Sequence, residues 1–238
     1  MKTLIVTADD FGNSFGLNRG IIEAHTKGIV TNTSVMVDGL ASGEAKDLSK
    51  YRKLSVGLHF DIFDKVLREK VIEEVVLPLT KVEKIKKEFN RQIDKFIKIT
   101  GKKPDYLDSH HHVHFYRDVR PIFEKYSQKN KIPARAYGKV NFIDSFYGGD
   151  KLGEKGLKDN SVEAMIKILA NLKEGVNEIM SHPGYVDDHL KKLSSHLEER
   201  EEDLATLTDK RVSDYIKKSA IKLCGWKEIS FEKIYSLS

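Results

Sequence analysis

Short apolar, β-branched runs alternate with longer amphipathic stretches along the chain, and this rhythm constrains its fold more than any other feature. The alternation favours parallel strands joined by helices over an all-helical or all-β architecture. Strands are predicted at residues 3–8, 32–37, 54–59, 106–110, 134–137 and 178–181, with a last one near residue 229. The predicted fold class is therefore α/β.

The stretches between these strands carry helical periodicity. Helices are predicted at residues 17–27, 81–100, 119–129 and 162–172, with a C-terminal pair spanning 197–223. In the second helix, apolar side chains recur at helical spacing and are predicted to face the core: Ile85, Phe89, Ile93, Phe96 and Ile97. Residues 61–80 and 142–160 are predicted to be loops, and the glycine-rich part of the second, from Gly148 to Gly156, could form a mobile flap over a site.

The length and composition are those of one globular domain. With 238 residues, 39% hydrophobic and 32% charged, the chain has the length of a single α/β barrel and can bury a substantial core. We predict one domain over residues 1–238. The single cysteine, Cys224, has no partner for a disulfide and is interpreted as a core thiol, which suits a reducing compartment.

Charge and hydropathy exclude several kinds of partner. The apolar run at the start of the chain breaks after a few residues at Asp9 and Asp10, so it does not resemble a signal peptide, and no stretch approaches the roughly 20 apolar residues of a membrane span. A cytoplasmic protein is predicted. The net charge is +5, but lysines are interspersed with acids, which indicates solvated helix faces and no nucleic-acid partner. A homo-oligomer remains possible.

The polar residues that stand out all follow predicted strands. They are Asp9 and Asp10 after LIVTA, His59 after VGL, the run of residues 110–114 (HHHVH) after YLDS, and His182 after EIMS. In parallel α/β barrels the carboxyl ends of the strands carry the site, because the following loops converge there on a rigid scaffold. One shared pocket is predicted.

Two interpretations of the aspartate pair are open. Adjacent strand residues normally point to opposite faces, so one aspartate could line the pocket while the other caps the next helix. The glycines at Gly12, Gly16 and Gly20 could instead let the chain bend sharply and bring both carboxylates into one cavity. Their GxxxGxxxG spacing does not match the dinucleotide or P-loop patterns, and two aspartates would repel phosphate.

The histidine run is the strongest single signal. If it is extended, His110, His112 and His114 share one face, and at most two or three of them can bind one metal. The second ring nitrogen needs an orienting acceptor, which Asp108 or a backbone carbonyl could supply. Two imidazoles with one carboxylate leave open positions on a divalent ion such as Zn²⁺ or Mg²⁺.

The other histidines differ in context. His182 precedes a proline that favours an extended or turn geometry, which would hold the ring at a strand–loop junction. His25, His189 and His196 lie in helical or polar contexts and are interpreted as surface residues.

These residues together resemble the YdjC-type carbohydrate deacetylases. The resemblance covers most of the chain in family order through the segments TADDFGNSFGLNRGIIEAHTKGIVTNTSVMVDG, GLHFDI, KPDYLDSHHHVHFY, MSHPG and LEEREEDLATL. It implies an irregular NodB-like (β/α) barrel of about seven parallel strands. It also implies a metal held by Asp10, His59 and His110, with Asp9 as the catalytic base and His182 as the acid.

The implied reaction is the metal-dependent hydrolysis of an N-acetyl group on an amino sugar or chitooligosaccharide, with release of acetate. The expected cofactor is one divalent ion, Mg²⁺ or Zn²⁺. His112 is expected to contact the substrate. Arg200 could hydrogen-bond the sugar or a neighbouring carboxylate, although a surface salt bridge is an equal alternative.

Three rival functions use the same residues. A glycosidase would need Asp9 and Asp10 as a carboxylate pair, but sequence neighbours rarely attain the required separation of roughly 5 to 9 Å, and the histidines would be unexplained. A metal-dependent phosphoesterase could use the same ligands, although two-metal sites usually need more bridging carboxylates. A non-catalytic metal-binding module would bind the ion without hydrolysis, and its function would not depend on Asp9.

Overall fold

A computed structural model describes residues 1–146 and 160–235, and its centre is one parallel sheet. Seven strands make up this sheet, in the order β4-β3-β2-β1-β6-β5, and β7 also pairs with β1. The strands are β1 (Lys2–Phe11), β2 (Asn32–Val35), β3 (Ser55–Phe60), β4 (Leu107–Ser109), β5 (Val140–Ile143), β6 (Gly175–Ser181) and β7 (Lys222–Leu223). All the pairs are parallel, so the predicted α/β class is confirmed.

Helices connect the strands. They are α1 (Phe15–Lys27), α2 (Lys65–Ile72), α3 (Leu79–Thr100), α4 (Arg120–Asn130), α5 (Val162–Ala170), α6 (Leu190–Leu193), α7 (Glu198–Thr208), α8 (Lys210–Lys218) and α9 (Phe231–Tyr235). Ser14 caps α1 by accepting a hydrogen bond from the Leu17 backbone N–H, and α3 ends at Gly101 in a left-handed conformation. The predicted helices are all present, with boundaries that differ by a few residues.

The core lies on both faces of the sheet. β2 and β3 are buried at every position and β1 at every position after Lys2, as expected for parallel strands covered by helices on both sides. On α3, Ile85, Phe89, Ile93 and Phe96 are buried as predicted, and Ile97 packs against the same cluster. In the described part of the chain, every helix is too short or too polar to span a bilayer.

Two sequence predictions about elements are wrong. Residues 61–80 are not all loop, because they contain α2, which begins at Lys65. The Asp64 side chain caps this helix by accepting a hydrogen bond from the Leu67 N–H. Residues 134–137 form only an isolated bridge between Ala134 and Leu107, and the strand of this region is β5 further along. A residue in the left-handed region, Ala136 (φ 58°), interrupts the extended chain there.

The last predicted strand is also displaced. Ile229 follows a short 3₁₀ turn (Trp226–Glu228), and the chain pairs with β1 at β7 instead. The glycine-rich segment predicted as a flap, Gly148 to Gly156, lies outside the described residues.

Candidate active site

A break in the register of β1 brings two neighbouring carboxylates to the carboxyl end of the sheet. The pairing of β1 with β2 shifts between Ala8 and Phe11. Asp10 takes a left-handed conformation (φ 71°), and Gly12 follows with φ 96°. In a regular strand the two side chains would point to opposite faces, and the bulge removes that restriction. Both aspartates are buried, and each faces a histidine: Asp10 lies beside His59, and Asp9 lies beside His182.

Only one of the three glycines predicted to permit this bend does so. Gly12 has the positive φ, whereas Gly20 lies within α1. A Cβ atom on Gly20 would come within 2.5 Å of the Gly184 Cα, so this glycine allows α1 to pack closely on the loop after β6.

The Asp10 carboxylate faces two imidazoles. Its Oδ1 lies 3.4 Å from His59 Nε2 and 3.5 Å from His110 Nδ1. This oxygen is buried and makes no hydrogen bond to any described residue. Ligand atoms of the three residues lie within 4.8 Å of one another, so they could hold a single metal ion.

The other oxygen of Asp10 is engaged by an arginine. Arg200, on α7, donates from Nη2 to Asp10 Oδ2 at 2.8 Å. Burial opposes the ionisation of Asp10, but the Arg200 charge and the two histidines outweigh it and hold the pKa of this carboxyl well below its usual range. Asp10 is therefore an anion. Of the two roles considered for Arg200, a surface salt bridge is wrong, because the side chain is buried.

Asp108 and Ser34 orient the ring of His59 through its Nδ1 atom. Its Nδ1 lies 2.8 Å from Asp108 Oδ1 and 3.1 Å from the Ser34 hydroxyl, which leaves Nε2 facing Asp10. Burial disfavours the charged ring, but the surrounding carboxylates raise the pKa of His59 well above its ordinary value. A cation that binds to Nε2 would replace a proton there. Asp108, predicted to orient a histidine of the run, orients His59.

The Asp9 carboxylate is held by both of its oxygens. Arg135 donates from Nη1 to Oδ2 and from Nη2 to Oδ1, each at 2.7 Å, and Ser34 donates to Oδ1 at 3.1 Å. Burial raises the pKa of Asp9, but the Arg135 guanidinium lowers it by more. The net pKa of this carboxyl is well below its usual range, so Asp9 is ionised. Oδ1 accepts two hydrogen bonds, whereas Oδ2 accepts one, from Arg135, and keeps a lone pair that could accept a proton.

Arg135 lies at the centre of a wider buried network. It contacts Asp108 Oδ2 at 2.9 Å and Glu178 Oε1 at 3.2 Å in addition to Asp9. Glu178 also accepts from the Thr7 hydroxyl at 2.8 Å and from Trp226 Nε1 at 3.3 Å, and burial raises its pKa. This guanidinium occupies the space between Asp9 and Asp108. A second metal ion at that position would have to displace it.

His182 lies beside Asp9 on the other side of the pocket. Its Nε2 is 4.0 Å from Asp9 Oδ2, and its backbone N–H donates to Asp203 Oδ2 at 2.7 Å. Burial lowers the pKa of His182 to about 3, despite the nearby Asp10 and Asp9, so the ring is neutral near pH 7. Burial also raises the pKa of Asp203 to about 8.

The histidine run does not form the extended segment that the alternation argument required. Residues His110–Phe115 form a 3₁₀ segment in which His111 (φ 53°) and His112 (φ 52°) are left-handed. Among the run, only His110 contributes to the cluster with Asp10 and His59. His114 is fully buried and bonds to Ser109 at 2.5 Å, so its prediction as a third residue on the same face is wrong.

His112 stands apart from the cluster of Asp10, His59 and His110, among aromatic rings. It stacks on Phe115 with ring centroids 5.3 Å apart, and meets Phe142 edge-on at 5.6 Å. His196 is only 16% exposed and lies 5.9 Å from the ring of His182, so its assignment to the surface is wrong. His25 is also partly buried, with Nδ1 2.8 Å from the Val30 carbonyl oxygen.

Sequence reasoning missed Arg135, Ser34, Glu178 and Asp203 at this site. A signal existed for two of them. Arg135 lies inside one predicted strand, residues 134–137, and Glu178 begins another, residues 178–181. A charge within a buried strand requires a partner, so each one pointed to an ion pair at the sheet.

Solved structures show which fold class this chain belongs to. Its structure is similar to that of a family 4 carbohydrate esterase from Streptomyces lividans, with a TM-score of 0.56 over 94% of this chain and 91% of that chain at 13% identity. A nearer match is the crystal structure of a candidate cellobiose-phosphate cleavage protein from Enterococcus faecalis V583, with a TM-score of 0.79 and 25% identity over 96% and 99% of the two chains. These likenesses confirm the NodB-like barrel.

The chain belongs to the YdjC-like protein family, whose pattern matches residues 3–218. It is 33% identical to a carbohydrate deacetylase of Clostridium beijerinckii, over 95% of this chain and 99% of that protein. It is 32% identical to a chitooligosaccharide deacetylase of Escherichia fergusonii, over 96% and 99% of the two chains. The resemblance inferred from the motifs and the prediction of a hydrolase are confirmed.

Proposed function

We propose that this protein is a metal-dependent carbohydrate deacetylase that hydrolyses the N-acetyl group of an amino sugar or chitooligosaccharide and releases acetate. The observation that carries the proposal is the buried Oδ1 of Asp10, which makes no hydrogen bond to a described residue and faces His59 Nε2 and His110 Nδ1 beside the ionised Asp9. The relatives named as carbohydrate and chitooligosaccharide deacetylases support the substrate class.

The residues present fit a divalent cation. Four buried carboxyl groups, Asp9, Asp10, Asp108 and Glu178, contact only two arginines among the described residues. The excess of acid raises the pKa of His59, and a cation that replaced the proton on this ring would supply the same positive charge. Asp10, His59 and His110 would hold the ion, either Zn²⁺ or Mg²⁺. When bound, it would polarise the acetyl carbonyl and make water more acidic.

Asp9 is the proton acceptor in this proposal. It is ionised, and Arg135 fixes both of its oxygens, so its position is set before the substrate arrives. A carboxylate with so low a pKa is a weak base, so it can accept a proton only from water that is strongly acidified. The proposed base therefore depends on the cation held by its sequence neighbour.

His182 is the proton donor to the leaving amine. An amide nitrogen is a poor leaving group until it is protonated. Because the ring is neutral near pH 7, it must first receive a proton, and Asp9 Oδ2 at 4.0 Å from Nε2 is a nearby source. As the water oxygen bonds to the acetyl carbon, Asp9 takes one of its protons, which passes to His182 and on to the nitrogen when the C–N bond breaks. The products are the free amine and acetic acid, which ionises to acetate.

His112 is retained as a proposed contact of the substrate. Its half-buried ring, with those of Phe115 and Phe142, forms an aromatic group near the site. Phe142 lies with its ring 5.6 Å from the Arg135 guanidinium carbon, which places the group close to Asp9. Aromatic side chains offer the apolar surface that a sugar ring can cover.

The first experiment is an acetate-release assay on N,N′-diacetylchitobiose with Zn²⁺- or Mg²⁺-loaded protein. We expect acetate from the native chain, and none above background from Asp9→Asn, from His110→Ala or after chelation. Asp188→Asn and His189→Ala serve as matched controls, because Asp188 is 93% exposed and pairs with Lys191, and His189 is a half-buried residue just before α6.

Two outcomes would contradict the proposal. Full activity in Asp9→Asn would remove the proposed base. Tight metal binding with no acetate, but with release of phosphate from a sugar phosphate ester, would favour the phosphoesterase alternative.

A further inference from the structure

Arg200 is fixed in the site by two hydrogen bonds. Its Nη2 donates to Asp10 Oδ2 at 2.8 Å, and its Nε donates to the His196 carbonyl oxygen at 3.0 Å. The side chain is only 6% exposed, so the ion pair is buried. The Arg200 hydrogen bond holds one oxygen of the Asp10 carboxylate and so limits how that group can turn.

The two oxygens of Asp10 are thereby given different surroundings. Oδ2 is taken by the guanidinium, whereas Oδ1 lies 3.4 Å from His59 Nε2 and 3.5 Å from His110 Nδ1. Carboxylates can bind a metal through one oxygen or through both. If both oxygens bound, one more position on the ion would be filled.

We propose that Arg200 is a positioning residue that restricts Asp10 to binding the metal through Oδ1 alone. This inference rests on the metal site of the proposed function. The arginine keeps positions on the ion open for water and the acetyl oxygen, at some cost in affinity, because it takes one carboxylate oxygen and adds a positive charge nearby. A residue that only stabilised the fold would change neither the number of open positions on the ion nor the affinity for it.

The test measures Co²⁺ binding to Arg200→Met and Arg200→Lys by calorimetry and by visible absorption, with Arg211→Met as the matched control. Arg211 lies on the neighbouring helix α8, is 60% exposed and pairs with Asp209 and Glu163. Bands of Co²⁺ weaken as its coordination number rises. We expect a weaker spectrum for Arg200→Met at saturation, with a Kd unchanged or lower, and kcat lowered tenfold or more. Arg211→Met should match the native chain.

Arg200→Lys keeps a cation in place and is expected to give an intermediate spectrum. It also decides the question if Arg200→Met does not fold, because a partial change of the spectrum would still support the proposal. Spectra of the variants identical to that of the native chain at saturation would overturn it, as would a tenfold or greater loss of affinity with native kcat.

The two proposals can fail separately. Native protein that binds Co²⁺ but releases no acetate would overturn the proposed function, while the spectra would still decide the role of Arg200. Native protein that binds no Co²⁺ would overturn both.

Discussion

Asp9 and Asp10 are neighbours in the sequence, buried to the same degree, and each is paired with an arginine, yet their surroundings differ. Arg135 takes both oxygens of Asp9 and also contacts Asp108 and Glu178. Arg200 takes one oxygen of Asp10 and leaves the other facing two imidazoles. The comparison shows that an arginine occupies both oxygens of Asp9 but only one of Asp10, and this difference is our reason for proposing Asp10 as the metal ligand.

The largest expected effect separates the two carboxylates by function. Asp9→Asn should lower kcat by about 10² to 10⁴, the range for loss of a general base, while metal affinity is retained. Asp10→Asn should lose the metal, because a ligand oxygen with negative charge is removed from beside His59 and His110. Calorimetry of Zn²⁺ binding beside acetate release measures both. An equal loss of metal affinity in the two variants would contradict the proposed difference in role between Asp9 and Asp10.

The next effect concerns stability and distinguishes the two arginines. Arg135→Met leaves three buried carboxyl groups without their shared cation and should cost about 3–5 kcal/mol of the free energy of unfolding, the usual result of removing one partner of a buried pair. Arg200→Met should cost less, because Arg200 contacts one carboxylate. Urea denaturation of both variants measures the difference. An equal loss of unfolding free energy in both variants would show that the network around Arg135 adds no stability beyond that of a single ion pair.

A pH effect should come from Asp203, which accepts a hydrogen bond from the backbone N–H of His182. Its pKa is raised by burial from 3.8 to about 8, so its contribution to stability is present below about pH 4 and is lost as the pH rises towards 8. The native chain should therefore lose on the order of a few kcal/mol between pH 4 and 8 relative to Asp203→Asn. Unfolding free energies of both proteins at pH 5 and 8 give the difference, in which the titration of His182 largely cancels. No pH dependence of this difference would contradict the raised pKa.

The smallest expected effect is at Ser34, the residue that touches both sides of the site. Its hydroxyl donates to Asp9 Oδ1 at 3.1 Å and lies 3.1 Å from His59 Nδ1. Arg135 and Asp108 remain in Ser34→Ala, so the loss should be about 1 kcal/mol of stability and a few-fold in kcat. Thermal unfolding and acetate release would be compared with Ser49→Ala, an exposed serine. A loss of more than a hundredfold would show that Ser34 takes part directly.

Much of the sheet could be predicted from local patterns. Five of the predicted strands overlap β1, β2, β3, β4 and β6, because apolar β-branched runs between amphipathic stretches are a local property of the sequence. The strand predicted at residues 134–137 was wrong because Ala136 has a left-handed backbone conformation, which interrupts the strand and which apolar periodicity does not indicate. Backbone conformations of that kind depend on what surrounds the residue, so an apolar run alone cannot predict them.

The same limit applied to the histidine run. Its four imidazoles indicated a metal site, but an extended conformation placed three of them on one face. Two left-handed residues, His111 and His112, bring only His110 to Asp10 and leave His114 in the core. Residue identity pointed to metal chemistry, and backbone conformation decided that His110 is the imidazole of the run that lies beside Asp10 and His59.

The sequence by itself determined the residue types at the ends of the strands, and with them the α/β class and the likeness to the YdjC-type family. These are local properties, since a strand, a turn and a short motif each lie within a few consecutive residues. Only the tertiary structure decided which oxygens of Asp9 and Asp10 are occupied. Arg135 and Arg200 lie 126 and 190 residues away along the chain from the carboxylates they bind. Contacts over such separations form only when the sheet and helices have packed, because no local pattern brings those side chains together.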